Sequence, residues 1–341
     1  VLTLTLLVFA CPASTTQQPA AFDRSAMLNN VGEQVAVPLY ATLVERASAL
    51  SVAAADVCAD ATKLEVAREA WSQAYLAYKR SEALALEPAL VTRIMAAVDT
   101  FPAEPEKIEL NVGAVSTVEQ VDALGTSGKG FPVIEYLLFG ATPLNANRCA
   151  YLLALAGHVE LKAKATYDSW ANEFVVEFAE PGRVYKSLAA ATSAYVSQLA
   201  STSKSTSETQ LIRPAGRKNG GTPQPEAVAA RFSKLSKETL LASLDGIEQG
   251  VRGTDDKGLI AFIRHADARQ GSAVADQVVA AIDAARAAAM ALSVELDVAV
   301  VNAPEQVSAL IDLFRTLYDV LATDVANLLG ISLSISDQDG D

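Results

Sequence analysis

Apolar residues recur along most of this chain every three or four positions, the period of helices that bury one face. Residues from about 25 to 57 read as one long helix, with Leu39, Leu43 and Leu50 among its apolar positions. A second, from about 62 to 86, carries Leu64, Ala67, Trp71, Ala74, Tyr75 and Tyr78 as one stripe, with Arg68, Lys79 and Arg80 off or beside it. Asp99-Thr-Phe-Pro102 and Glu104-Pro105 break the pattern, because a proline pushes its predecessor out of the α region. A short helix is expected near 118–124, a bent helix or helix pair over about 146–178, and another helix over about 184–199. From 201 to 225 the apolar period disappears among Ser, Thr, Lys, Gly and Pro, which predicts a loop or linker. Helical stripes return near 226–250, 271–301 and 304–329, and Gly330 is placed to stop the last of them. The alternating tail 331–341 suits an extended segment lying on a surface.

These elements predict an all-α protein of two helical bundles packed on each other, over about 21–200 and 226–341. Composition agrees, since alanine and leucine dominate and both are strong helix formers. The 341 residues are enough for two modest domains with a sizeable core. A formal net charge of −13 argues against a nucleic-acid partner and is compatible with cation binding. No apolar run looks long enough to cross a bilayer as a helix.

The first twenty residues are set apart from the fold. Val1–Ala10 is almost wholly apolar and leads into Cys11, followed by Pro, Ala, Ser and Thr. This looks like the end of a secretory signal at a lipobox, with Cys11 as the lipidated residue and a lipid anchor in the outer or cytoplasmic membrane. Phe9 is bulky for a lipobox and no basic segment precedes the apolar run, so plain secretion is the alternative. The chain opens on valine, which fits a non-standard start codon or a start further upstream. Export would place Cys58 and Cys149 in an oxidising compartment, where they are expected to pair; two buried thiols are the alternative.

Candidate chemistry concentrates in Gly128-Lys-Gly-Phe-Pro-Val-Ile-Glu-Tyr-Leu-Leu-Phe-Gly140. Pro132 suits a first helical turn, where its missing N–H costs nothing. Glu135 lies about one turn further on, among Ile134, Tyr136, Leu137 and Leu138. A carboxylate there is costly to bury without a cation or several donors. It either faces water, caps nearby amides, or recognises something. Trp71 and Tyr75 are core residues by spacing, and either could line a cleft with its polar tip. The two histidines, His158 and His265, each have a carboxylate two residues on, which on a helix points to a different face and makes no chelate. The Asp337-x-Asp339-x-Asp341 spacing resembles the opening of a calcium loop that lacks its later ligands. HExxH, GxSxG and phosphate-binding glycine motifs are absent from the sequence.

Taken in order, Ala70-Trp71-Ser-Gln-Ala-Tyr-Leu-Ala-Tyr-Lys-Arg-Ser-Glu82, the Gly128–Gly140 stretch, Cys149-Ala-Tyr-Leu152, Arg231-Phe-Ser-Lys-Leu-Ser236 and the Asp339-Gly-Asp341 ending resemble the imelysin-like proteins. That family is classified with the M75 peptidases. The resemblance runs from about residue 25 to the C-terminus. It implies two facing helical bundles with a site between them, an exported or lipid-anchored envelope location, and a link to iron uptake. The family's G-x-H-x-x-E hallmark reads Gly130-Phe-Pro132-Val-Ile-Glu135 here, so Gly130 and Glu135 carry over and the histidine does not.

By the same resemblance Arg231, Ser233 and Ser236 face Glu135 across the cleft. An Arg–carboxylate pair there would neutralise Glu135 without any ligand. The expected function is a non-catalytic envelope binding protein in iron or metal uptake. Its ligand would be held by Gly130, Glu135, Trp71, Tyr75, Arg231, Ser233 and Ser236, with Glu135 the one candidate metal ligand. The cofactor is left open, iron or another divalent cation being the candidates. A metal-dependent peptidase and a structural or adhesive lipoprotein are the alternatives.

Overall fold

The computed structural model describes residues 21–270 and 273–333, and among them it is all-helical, with no strand. Cys11, the calcium-like spacing and most of the alternating tail lie outside the described residues. The first bundle is built on α1 (Arg24–Ala59), flanked by α2 (Leu64–Ser81) and α8 (146–179). Between α2 and α8 the chain makes α3 (Glu87–Thr92), α4 (Ile94–Val98), α5 (Pro105–Asn111), α6 (Val118–Asp122) and α7 (Phe131–Phe139). The second half contains α9 (188–212), α10 (Ser236–Arg252), α11 (Leu259–Gln270), α12 (Val274–Met290), α13 (Leu296–Asn302) and α14 (304–329). Gly330 ends α14 in the left-handed region, as expected.

By length and hydropathy α1 qualifies as a membrane span, contrary to the expectation that no run is long enough. In the fold it is the central helix of the bundle. Leu39, Tyr40, Leu43 and Leu50 are buried, and its flanks pack on α2 and α8. Its regular turn is interrupted at Gly32–Ala36 by a π turn. Pro38 follows that turn and has no N–H to give the Gln34 carbonyl, which lies 3.4 Å from the Thr254 hydroxyl instead. A disulfide joins Cys58 to Cys149 with their Cα atoms 5.6 Å apart, fixing the end of α1 to the start of α8.

The expected loop at 201–225 begins later than the composition suggests, because α9 continues to Ile212. Its buried face there is polar: Thr202, Ser203, Thr206, Ser207 and Gln210 are all enclosed. Three of them find partners within the fold. Thr202 donates to the Gln198 carbonyl, Ser203 to that of Phe314, and Gln210 accepts from Thr239. A face of this kind packs as a helix while showing no hydrophobic period.

One apolar cluster runs through both halves. Helix α10 lies on α2 so closely that a Cβ at Gly246 would sit 2.1 Å from the Arg80 carbonyl oxygen. Beside that contact Asp245 meets Arg80 at 3.5 Å. Residues 331–333 leave α14 along α9, where the Ser193 hydroxyl donates to the Ser332 carbonyl.

Candidate functional site

Helix α7 starts where the backbone can approach α4 only without a side chain. Gly130 has φ 87°, and a Cβ there would lie 2.2 Å from the Val98 carbonyl oxygen. Only glycine fits such a position without strain. Pro132 occupies the first turn, and Glu135 points inward with 3% of its surface exposed.

The opposing wall comes from the second half. The stripe expected to be helical from about 226 does not become regular helix until Ser236. Ala230 (φ 53°) and Lys234 (φ 59°) instead take the left-handed region, which non-glycine residues adopt only when the surroundings impose it. The turn between them presents Ser233 to Glu135. Its amide and its hydroxyl each donate to Glu135 Oε1 at 2.8 Å.

Burial pushes the Glu135 carboxyl up to about 7, against the Ser233 amide and hydroxyl and, more weakly, the Phe232 amide and the Arg231 charge. The Arg–carboxylate pair, the ligand-free alternative, is not formed. Among the described residues Glu135 has no ion pair, and Arg231 lies over the Phe232 ring at 4.4 Å with its buried Nε unpartnered. Phe232 in turn meets Tyr136 edge-on at 5.5 Å. Neutral donors therefore do the work assigned to the arginine.

Trp71 and Tyr75, stacked at 5.1 Å, form the floor of the cavity beside Glu135. Trp71 Nε1 donates to the Phe131 carbonyl at 3.0 Å, so its polar tip faces α7. Pro132, Phe101 and Arg231 complete the wall around a cavity of about 10 Å³, about the space one water molecule needs. Ser236 is set apart. Its hydroxyl donates to Glu295 at 3.3 Å and accepts the Leu296 amide at 3.2 Å, holding the start of α13.

Next to the cavity lies a largely enclosed polar network that the apolar stripe of α2 does not announce. Tyr75 donates to Asp99 at 3.0 Å, and Lys79 bridges Asp99 at 3.1 Å and Glu82 at 2.6 Å. Lys79, expected off or beside the apolar stripe, is buried. It falls four residues after Tyr75 and eight after Trp71, so its spacing places it on the inner face. Burial draws its ammonium down, but Glu82 and Asp99 together outweigh that and hold it above the ordinary lysine range. Burial, then Asp99 and Glu82, raise the Tyr75 phenol well above its usual range, so it stays a donor.

The residues around Glu135 do not fit a resident metal ion. The position that the family resemblance assigns to a histidine is Pro132, which has no side-chain donor. Among the described residues no group of three or more His, Cys, Asp or Glu is placed to hold a metal. Of the histidines, buried His158 meets Asp122 at 3.0 Å, and His265 lies against the Phe22 ring at 5.6 Å.

Fold and site thus define a two-half helical protein with an acidic side chain enclosed at the junction. The chain belongs to the imelysin (peptidase M75) family, whose model matches residues 36–323. It is 30% identical over 173 residues to iron-regulated protein A of Synechococcus elongatus. That match covers 49% of this chain and 47% of the relative, so the chain spans about half the length of the curated relative it matches. Among solved structures, an imelysin-like protein from Psychrobacter arcticum 273-4 superposes with a TM-score of 0.76 at 18% identity, covering 92% of this chain and 97% of its own. A proposed iron-regulated protein A precursor from Parabacteroides distasonis ATCC 8503 superposes with a TM-score of 0.79 at 16% identity, covering 93% and 98%. At those identities the structures establish the shared fold.

Proposed function

We propose that this chain is an exported, non-catalytic envelope protein serving iron acquisition, and that it receives a small polar ligand at the Glu135 junction. Family membership supports the iron link, as does the name of the Synechococcus relative, iron-regulated protein A. Export is supported by the Cys58–Cys149 disulfide, which persists in oxidising compartments, and by the word precursor in the Parabacteroides protein's name.

One observation carries the site. Glu135 is a buried carboxyl held across the junction by neutral donors, the amide and hydroxyl of Ser233 and more weakly the Phe232 amide, with Arg231 beside it unpaired through Nε. A ligand bringing its own donors exchanges for Ser233 at the carboxyl, and one bringing an acceptor meets Arg231. The cavity has space for about one water, so a larger guest requires the 230–234 turn to move off the Trp71–Tyr75 floor. Proteolysis draws no support from the site, since among the described residues no donor set for a catalytic metal is gathered there.

The test is complementation under iron limitation. A strain lacking this protein is expected to grow poorly when iron is scarce and to be rescued by the wild type but not by folded Glu135→Gln. Purified protein is expected to leave casein and insulin intact. Full rescue by Glu135→Gln, or growth indifferent to iron, overturns the reading; metal-dependent cleavage of casein returns the protein to the peptidases.

A further inference from the structure

Lys129, immediately before Gly130, opens onto a different cavity of about 380 Å³, lined among others by Arg93, Asp122, Thr126 and Lys162. That volume lies in the range of small-molecule sites. Its charge is the reverse of the molecule's. The chain carries −13 overall, whereas this wall holds three cations and a single carboxylate.

The carboxylate is already engaged. Asp122 Oδ1 lies 2.9 Å from the Lys162 ammonium and 3.0 Å from His158 Nε2. These contacts draw its carboxyl down to about 2. Arg93 and Lys129 are left without a counter-charge of their own.

Lys129 is 8% exposed, and its ammonium donates to the Asp122 main-chain carbonyl at 2.8 Å. An ammonium has three donors, and this one has no ion pair among the described residues. Burial lowers its proton affinity, Asp122 works against that, and Lys162 and Arg93 add to it. Arg93 joins α3 to α4 in the left-handed region, φ 56°. It too has no ion pair among the described residues. Lys129 and the exposed Arg93, gathered around one concavity, repel each other, and the enclosed Lys129 is also costly to desolvate. A bound anion removes both penalties.

We propose that this cavity is a binding site for a small multivalent oxyanion, a phosphate or a small polycarboxylate, held by Lys129, Arg93 and Lys162 with the Thr126 wall beside them. The site is independent of the Glu135 junction. Multivalency is the discriminating property, because the cations converge from three separate elements: the α3–α4 link, the approach to α7, and α8.

Calorimetric titration of the full chain at constant ionic strength tests this, with inorganic phosphate and citrate as probes and acetate as the monovalent control. Saturable binding of phosphate or citrate, and none of acetate, is expected. Arg93→Gln and Lys162→Gln change side chains that are not fully buried, so their folding is checked by circular dichroism. At least a tenfold loss of affinity in either variant is expected. Absence of saturable binding at millimolar phosphate and citrate, equal binding of acetate, or unchanged affinity in both variants overturns the proposal.

Discussion

The Glu135 carboxyl and the Asp99–Glu82 pair are buried on neighbouring sides of Tyr75, which lines the Glu135 cavity and donates to Asp99. Asp99 and Glu82 share the Lys79 ammonium, at 3.1 and 2.6 Å, and Asp99 also accepts the Tyr75 phenol. Glu135 has no ion pair among the described residues and relies on the Ser233 amide and hydroxyl from the other half of the chain, with weaker help from the Phe232 amide and the Arg231 charge. The first arrangement meets a charge with a charge inside one half of the molecule. The second leaves a proton to decide the charge at a seam between halves. Burial raises the Glu82 and Glu135 carboxyls alike, but at Glu82 a full ammonium, Lys79, opposes it, whereas at Glu135 the opposition comes chiefly from neutral donors across the seam.

Removing the cation breaks this contrast most severely. Lys79→Met leaves Asp99 and Glu82 buried without a counter-charge, and loss of one partner from such a pair costs about 3–5 kcal/mol. Urea unfolding at neutral pH is expected to show a fall of that size with little change in slope. A fall below about 1 kcal/mol, the value of an exposed pair, would mean that the network is open to water and the contrast with Glu135 is false.

The two acid sites were not equally legible in the sequence. Glu135 stands out because no other residue charged at neutral pH interrupts the run from Phe131 to Phe139. The network beside it is hidden because Lys79 carries a charge, and charge at the end of a stripe normally means solvent. Asp99 lies among turn residues and is brought inward only when Gly130 packs on Val98. The partner of Glu135 is hidden for another reason. Ala230 and Lys234 hold left-handed conformations that nothing in their residue types announces, so the stretch before Ser236 reads as ordinary helix. Helices with apolar faces were legible from period alone; the end of α9, whose inner face is Thr202, Ser203, Thr206 and Gln210, was not.

Glu135→Gln sharpens the comparison through pH. The folded carboxyl sits at about 7 instead of the 4.5 of a free glutamate. A raised value means that its contribution is fully present below the unfolded value and is lost as pH climbs through the folded one. The wild type is therefore expected to lose on the order of 3 kcal/mol relative to Glu135→Gln between about pH 4 and pH 8. Chemical denaturation across that range measures it. Parallel profiles would place the carboxyl in contact with bulk water.

Ser233→Ala has the smallest expected effect and separates the two donors. The amide remains, so Glu135 keeps one hydrogen bond to Oε1, and the hydroxyl's share is about 1 kcal/mol. The hydroxyl holds the carboxyl down, so its removal moves the midpoint upward from about 7. Ser233 Oγ also lies 3.1 Å from the Ala230 carbonyl, an acceptor to which its proton can turn once Glu135 is protonated. The loss in the alanine variant is accordingly greater at high pH, where the carboxylate needs the donor, than at low pH, where the hydroxyl has the carbonyl. A carbon-detected NMR titration of the Glu135 carboxyl gives the midpoint directly. A downward shift would mean that the serine serves the protonated acid, and that the 230–234 turn is held by a neutral contact at every pH.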